Sequence, residues 1–565
     1  MEARSISDAT KKNWIRLGKT SSEKLTKRAN KTNSQKKIIP MEYFSEKTNN
    51  GFIENLLLLI ESHNWAIKDV LYSISIFLLK NKTILEKKHV QEVLKEYNYT
   101  ILPVTEYEIP TNEKDLLGII YQASLSEGQK NIAGSYYTHK HIASSMTKNL
   151  DFSSEQTFLD PCCGSGAFLL AIENANPTQL YGFDIDPIAV MIAKMNLLLH
   201  YNTYEFTPQV FCQDYLTNNI ELSSFNYIMT NPPWGVTHKE YSFQSEIVSK
   251  ERFSLFFVKA FSQLKQQGII NFLFPESILN VKIHNDIRKF ILTKTSFSNI
   301  IKYADSFTGV TTKSVSILCK KKLQNETIEQ FFDNKKTIIP LEAFSLTKNN
   351  VFALLSEEDL SILLKIKKKK SFTLEGSIWA LGIVTGDNKE KLKSTKNEDY
   401  ERIYTGKEIT PFLLKKEKNY IKYDRTQFQQ VAKDEYYRAN EKLVYKFISN
   451  KLVFAYDNSK SLFLNSANIL IPNIPTMSIK TVLAFLNSDV FKFIYTKLFG
   501  EIKILKGNLE ELPFPKITDV QNKKIESLVN NVLQGNSQDI EKIQTEIYSI
   551  FNISSNEITH IKECK

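Results

Sequence analysis

Phe158-Leu159-Asp160-Pro161-Cys162-Cys163-Gly164-Ser165-Gly166-Ala167-Phe168-Leu169-Leu170 decides the fold of this chain. An apolar strand runs into Asp160-Pro161, two glycines permit a turn that brings backbone close to a ligand, and apolar residues continuing through Ala171 and Ile172 predict a helix. A strand, a glycine turn and a helix form a nucleotide-type loop, as found in open α/β sheets. The spacing is not the pyrophosphate pattern Gly-x-Gly-x-x-Gly. It also lacks the Gly-Lys-Ser/Thr ending that cradles a triphosphate.

Working outward, Tyr181-Gly182-Phe183-Asp184-Ile185-Asp186-Pro187 places Asp184 at the end of a second strand, about twenty-four positions after Asp160, near the spacing of a ribose-binding carboxylate. A third strand, Gln209-Val210-Phe211-Cys212, leads into Gln213-Asp214-Tyr215. There Asp214 can accept from an adenine amino group and Tyr215 can pack on the ring. A fourth, Phe225-Asn226-Tyr227-Ile228-Met229-Thr230, ends in Asn231-Pro232-Pro233-Trp234. Two prolines fix φ and supply no N–H, so the carbonyls of Asn231 and Pro232 can face a cleft as acceptors. The Asn231 side-chain oxygen adds another, and Trp234 offers a face on which a planar base can stack. Taken singly, each carboxylate reads as a helix cap and the tetrapeptide as a proline turn with a buried Trp. Their recurrence at the ends of successive strands, where open α/β sheets bind ligands, favours a binding site.

These segments, in this order, resemble the cofactor and catalytic motifs of S-adenosylmethionine-dependent DNA amino-methyltransferases. Gly134-Ser135-Tyr136-Tyr137-Thr138 is similar to the segment that precedes them in the gamma class, the TaqI-type adenine methyltransferases. The resemblance covers residues 116–320. It extends more loosely over 370–520, where Gly382-Ile383-Val384-Thr385-Gly386-Asp387-Asn388, Tyr404-Thr405-Gly406-Lys407-Glu408-Ile409 and Leu512-Pro513-Phe514-Pro515 resemble parts of that family's recognition domain. His139 stands where the family usually has proline, and Trp234 replaces the more frequent Tyr or Phe. The resemblance implies S-adenosylmethionine held by Tyr137, Thr138, Asp160, Cys162, Gly164, Gly166, Asp184, Ile185, Asp214 and Tyr215. It implies catalysis by Asn231, Pro232, Pro233 and Trp234, with Phe307 as a second ring stacking on a flipped base.

Composition is consistent with such an enzyme. At 565 residues the chain is too long for one ordinary core, and 42% hydrophobic with 12% aromatic residues suffices for several. A net charge of +11 favours a polyanionic partner, expected to be double-stranded DNA. Cys162, Cys163, Cys212, Cys319 and Cys564 show no metal spacing, and the adjacent pair cannot readily join. A reducing, cytoplasmic location follows, with no apolar run of membrane-spanning length.

The expected fold class is α/β: a Rossmann-like methyltransferase core, mostly parallel sheet with helices on both faces, plus an N-terminal helical segment and a C-terminal α+β target-recognition domain. Residues 1–115 read as a basic arm followed by a helical accessory region, with helical spacing at Ile53–Ile60 and Val70–Leu79. Residues 116–322 read as the methyltransferase domain, with Phe253–Leu264 a crossover helix and the apolar runs 269–274 and 314–319 continuing the parallel sheet. The sheet is expected to end at Lys320–Lys322, leaving 323–370 as a connector. Residues 371–565 read as the recognition domain, braced by helical patterns at Ile479–Leu498 and Gln521–Phe551. Among its basic residues Lys389, Lys407, Lys415 and Lys416 are the candidate DNA contacts. No closely spaced carboxylates and Lys after a strand suggest a nuclease, so cleavage would fall to a separate restriction endonuclease or be absent. Cytosine-N4 methylation, RNA or protein-glutamine methylation, and a non-catalytic DNA-binding subunit are the alternative readings. The large basic region after 371 and the intact strand-end residues weigh against the last two.

Overall fold

The glycine-bearing strand lies inside a nine-stranded sheet. The computed structural model describes residues 50–563 apart from 105–107, 127, 130–137, 149, 173–174, 218–223, 238, 240, 242–246, 304–312, 322–324 and 501–502. The basic arm, Tyr137, Phe307 and Cys564 thus lie outside the described residues. The chain divides into two units, one ending at Leu341 and the other running from Glu342.

In the first unit the strands are β1 (Phe158–Asp160), β2 (Leu180–Asp184), β3 (Gln209–Cys212), β4 (Phe225–Thr230), β5 (Leu264–Pro275), β6 (Ser296–Tyr303), β7 (Ser314–Lys320), β8 (Thr327–Phe332) and β9 (Lys335–Pro340). Their order is β3-β2-β1-β4-β5-β7-β6-β8-β9. From β3 through β5 all neighbours are parallel. The order reverses between β1 and β4, so the carboxyl ends of these strands open a crevice at the switch point, where such sheets bind ligands. β1 is buried along its whole length, as its unbroken Phe-Leu-Asp run requires.

Helix Pro187–His200 crosses back from β2, started by Asp186, whose carboxylate accepts the Ile188 N–H, and by Pro187 at its first position. It is apolar except for Lys194, Asn196 and His200, and is buried from Ala189 through Leu198. Its burial comes from a layer of helices at Asn50–Ser62, Ile67–Asn81 and Leu116–Ser124, whose Ile53, Leu71, Ile74 and Ile120 share one core with Ala193 and Leu197. Each such side chain contributes roughly 1.5–3 kcal/mol on burial. Both helical runs expected in this region are present.

Three expectations are corrected. The residues after the glycines form one 3-10 turn, Leu169–Ala171, rather than a longer helix. Phe168, Leu169 and Leu170 are all buried, so no single helical face is left for solvent. β7 runs antiparallel to both of its neighbours, β5 and β6, between which it lies, so it does not continue the parallel sheet. The sheet also continues past Lys320, since β8 pairs with β6 and β9 with β8, taking in part of the stretch expected as a connector.

The second unit is built on small, mostly antiparallel sheets. In one of its two four-stranded sheets, Ile378–Leu381, Ala467–Ile471, Lys442–Lys446 and Phe454–Asp457 are neighbours in that order. A buried ion pair, Lys442 to Asp457 at 2.6 Å, is satisfied further by the Tyr437 carbonyl and the Ser459 and Ser461 N–H groups. Each expected long helix is split: Ile479–Leu486 from Asp489–Leu498, and Asp519–Leu533 from Asp539–Phe551. Ser488 caps the second helix by accepting the Phe491 N–H, and Gly535 turns with φ +106°.

Candidate active site

Backbone N–H groups shape the glycine turn around the carboxylates at the strand ends. Asp184 accepts the Gly164 N–H at 2.9 Å with one oxygen and the Asp186 N–H at 2.9 Å with the other. The Cys163 N–H donates to the Phe183 carbonyl and the Gln213 N–H to the Asp184 carbonyl, joining the turn and the end of β3 to β2. Gly164 and Gly166 have φ +53° and +95°, the left-handed region that glycine alone adopts without penalty. The turn packs so closely on β2 that a Cβ at Gly182 would lie 3.0 Å from the Cys163 sulfur. Asp160 is buried under the turn, accepting the Cys162 N–H at 3.1 Å. Burial pushes its carboxyl up to about 7.

A second set of groups holds the turn from behind. Asp115, the cap of helix Leu116–Ser124, accepts from the Ser165 hydroxyl at 2.5 Å, the Asn196 amide at 2.7 Å and the Gly118 N–H at 3.0 Å. Asn196 also donates to the Ser165 carbonyl at 3.0 Å. Burial raises the Asp115 carboxyl to about 6 against the pull of these bonds. The Tyr121 hydroxyl donates to Asp186 at 2.5 Å and so braces the cap of helix Pro187–His200.

A cleft of about 400 Å³ opens at these strand ends, and Cys162, Gly164, Asp184, Ile185, Asp214, Tyr215, Asn231 and Pro233 line it together. Ile185 is 68% exposed and forms an apolar ledge. Asp214 accepts the Leu216 N–H at 3.0 Å and lies 3.7 Å from the Lys239 amine. Tyr215 shapes the wall from within the core: its ring is buried between Phe183 and Phe256, and its hydroxyl donates to Gln263. Asn231 leaves β4 directly, and the loop after Trp234 is pinned to the next helix. The Arg252 N–H donates to the Gly235 carbonyl and the Thr237 N–H to the Lys250 carbonyl, both at 2.9 Å.

Other expected residues stand elsewhere. Asp160, Gly166, Pro232 and Trp234 do not line the cleft, and Asp160 and Pro232 are buried. Thr138 lines a separate cavity with Asp115 and His200. Lys389, Lys407, Lys415 and Lys416 are exposed on the second unit. The cleft also contains Tyr121, Asp186, Lys239, Arg252 and Phe256, which sequence reading did not single out. Asp115 and Asp186 carry a sequence signal, an acidic residue just ahead of an apolar helix. The rest are brought in by the fold.

The fold is that of an α/β protein with a crevice at its switch point, and the cleft there sets the Asn231 amide beside the carboxylates of Asp184 and Asp214. A family model of N-6 DNA methylases matches residues 112–391, and one of TaqI-like C-terminal specificity domains matches 401–514. A type II methyltransferase, M.VspI of Vibrio sp. (strain 343), is 31% identical over 341 residues, 58% of this chain and 81% of the relative. The methylase subunit of the type I restriction enzyme EcoEI from Escherichia coli is 25% identical over 41% of this chain and 50% of its own length. The solved structure of the type IIL restriction-modification enzyme MmeI in complex with DNA shares the fold, with a TM-score of 0.57 and 13% identity over 93% of this chain and 94% of that one. The chain belongs to the N-6 DNA methylase family. It is a site-specific, adenine-specific DNA methyltransferase. No described helix is long and apolar enough to cross a membrane.

Proposed function

We propose that the cleft holds S-adenosylmethionine and that Asn231 presents to it the N6 amine of an adenine flipped out of duplex DNA. The observation that carries this reading is one cleft shared by Asp184, Asp214 and Asn231, from the ends of β2, β3 and β4. The donor set fits the cofactor. Gly164 lets backbone approach, Asp184 can accept from ribose hydroxyls and Asp214 from an adenine amine, and Ile185 gives the purine an apolar ledge. When bound, S-adenosylmethionine supplies an electrophilic methyl group on a positively charged sulfur.

An adenine N6 is a poor nucleophile because its lone pair is delocalised into the ring. The side-chain oxygen of Asn231, which lines the cleft, and the carbonyl of the adjoining, buried Pro232 are proposed to accept hydrogen bonds from its two N–H groups and so favour the pyramidal amine that exists only near the transition state. Trp234, next to the cleft-lining Pro233 though not itself in the cleft wall, is the ring proposed to stack on the extruded base. Residues from 371 onward carry target recognition, with Lys389, Lys407, Lys415 and Lys416 on phosphates. The likeness to a type II methyltransferase and to the methylase subunit of a type I restriction enzyme supports a place in a restriction-modification system. Cleavage is assigned to a separate endonuclease as part of this proposal.

Single-turnover methylation by Asn231→Ala tests the catalytic assignment. The rate is expected to fall about a hundredfold or more while cofactor and DNA affinities hold, because the lost acceptor acts in the transition state. Retention of more than about a tenth of the wild-type rate, a loss under ~1.4 kcal/mol, would contradict it.

A further inference from the structure

The cleft wall carries the charged side chains of Asp184, Asp186, Asp214, Lys239 and Arg252. The first four have partners: Asp184 the Gly164 N–H, Asp186 the Tyr121 hydroxyl, and Asp214 the Lys239 amine. Arg252 differs. Its Nε is buried and finds no hydrogen-bond partner among the described residues, nor does a described carboxylate pair with its guanidinium. Withdrawing a guanidinium N–H from water without a partner is costly, so the arrangement suits a ligand that brings an acceptor. Arg252 opens helix Arg252–Ser262, and Phe256, one turn on, lies on the same face and also lines the cleft. Its backbone N–H holds the Gly235 carbonyl, so the guanidinium is tied to the loop that carries Asn231.

We propose that Arg252 binds the phosphodiester beside the flipped adenine, fixing the extruded nucleotide against Asn231. This rests on the reading of the cleft given above. Two anions could enter such a cleft, the carboxylate of the cofactor and a DNA phosphate. Location favours the phosphate. Arg252 is attached to the loop of Gly235 and Val236, and Val236 is 51% exposed at the mouth, whereas the cofactor-binding glycine turn is organised by Asp184 and Asp115 on other elements. A base leaving the duplex draws its own backbone towards the mouth. A planar guanidinium on a rigid helix end suits two oxygens of one phosphate better than a flexible amine would.

The test uses the full-length protein and a duplex containing its methylation site. Arg252→Gln, Arg252→Lys and wild type are titrated with duplexes in which each phosphate around the target adenine is replaced in turn by a neutral methylphosphonate. For R252Q the expected result is DNA affinity about tenfold weaker, a log–log salt slope shallower by about one, and unchanged S-adenosylmethionine affinity. One neutral linkage beside the adenine should weaken wild type by a similar factor and leave R252Q no weaker. R252K should recover part of the salt slope. Should R252Q not fold, a smaller penalty for that linkage in R252K than in wild type carries the same conclusion. Equal penalties in wild type and both variants would overturn the proposal. So would loss of cofactor affinity alone, which would place the guanidinium on the cofactor's carboxylate. Absence of methylation by wild type would instead strike the reading of the cleft itself.

Discussion

The strand ends of the first unit and the recognition strands of the second present their functional candidates in opposite ways. Around the cleft, Asp184, Asp160 and Asp115 are held by backbone N–H groups or by neighbouring side chains, and their positions are set before any ligand arrives. On the second unit the backbones of Lys389, Lys407 and Lys415 are fixed by Asp387, Thr405 and Glu408, while their side chains extend, exposed, into solvent. Methyl transfer needs preorganised acceptors, since reorganisation would consume the gain. Phosphate contacts can be made by mobile charges, which supply affinity rather than alignment.

The comparison breaks most visibly at Gly382. A Cβ there would overlap the Leu464 carbonyl and lie 2.5 Å from the Ala467 carbonyl oxygen, and both are backbone that cannot swing aside. Gly382→Ala should destabilise the second unit by roughly 3 kcal/mol. Denaturant unfolding and filter binding together check this: selective DNA binding should weaken while S-adenosylmethionine affinity stays. An unaltered unfolding profile would mean that the 464–467 turn yields easily.

If Asp184 holds the ribose as proposed, Asp184→Ala should cost roughly 2–3 kcal/mol of cofactor binding, because the carboxylate also holds the Gly164 turn. Calorimetry with and without DNA separates the effects. Affinity for DNA alone should not change, and an unchanged cofactor affinity would leave Asp184 a purely structural residue.

Asp160 sharpens the comparison through pH. Its folded carboxyl sits at about 7 against an ordinary 3.8, so the folded state holds the extra proton between those values. Its contribution is fully present below the unfolded value and is lost as pH rises towards 7. Asp160→Asn should flatten the decline of stability between about pH 4 and 8, by about 1.4 kcal/mol for each unit by which burial raises the carboxyl. Urea titrations at the two ends measure it, and parallel curves for wild type and variant would refute the buried-proton account. Asp115, raised to about 6, should leave a residual slope.

The smallest effects belong to the lysines. Neutralising Lys389, Lys407, Lys415 or Lys416 singly should lower affinity a few-fold for all sequences and shrink the salt slope by about 0.9 each. A change in which sequence is methylated would make that residue a base reader instead.

Strands β1 to β4 and their terminal residues were legible because each is a short apolar run closed by a turn whose chemistry is local. Asp184 and Asn231 follow directly from where such runs stop. The rest depends on contacts distant in sequence. β6 was obscured by a register shift between Phe297 and Asn299 that breaks its alternation, and β9, at the sheet edge with Lys335 and Lys336 exposed, reads as a polar loop. Nothing local to Ser165 announces Asp115 or Asn196, and the place of Arg252 in the cleft depends on the Gly235 and Thr237 links to its helix. Ser488 and Gly535 break helices that the apolar periodicity alone continues, because a cap residue ends a helix whatever the pattern around it.

The central claim, that Asp184 and Asn231 in one cleft serve methylation of adenine N6, is tested most directly by sequencing modified bases in DNA from cells expressing wild type and Asn231→Ala. Wild type should leave N6-methyladenine at one position of one recurring sequence, and Asn231→Ala should leave none. N4-methylcytosine in the wild-type sample, or N6-methyladenine persisting in the variant, would contradict it.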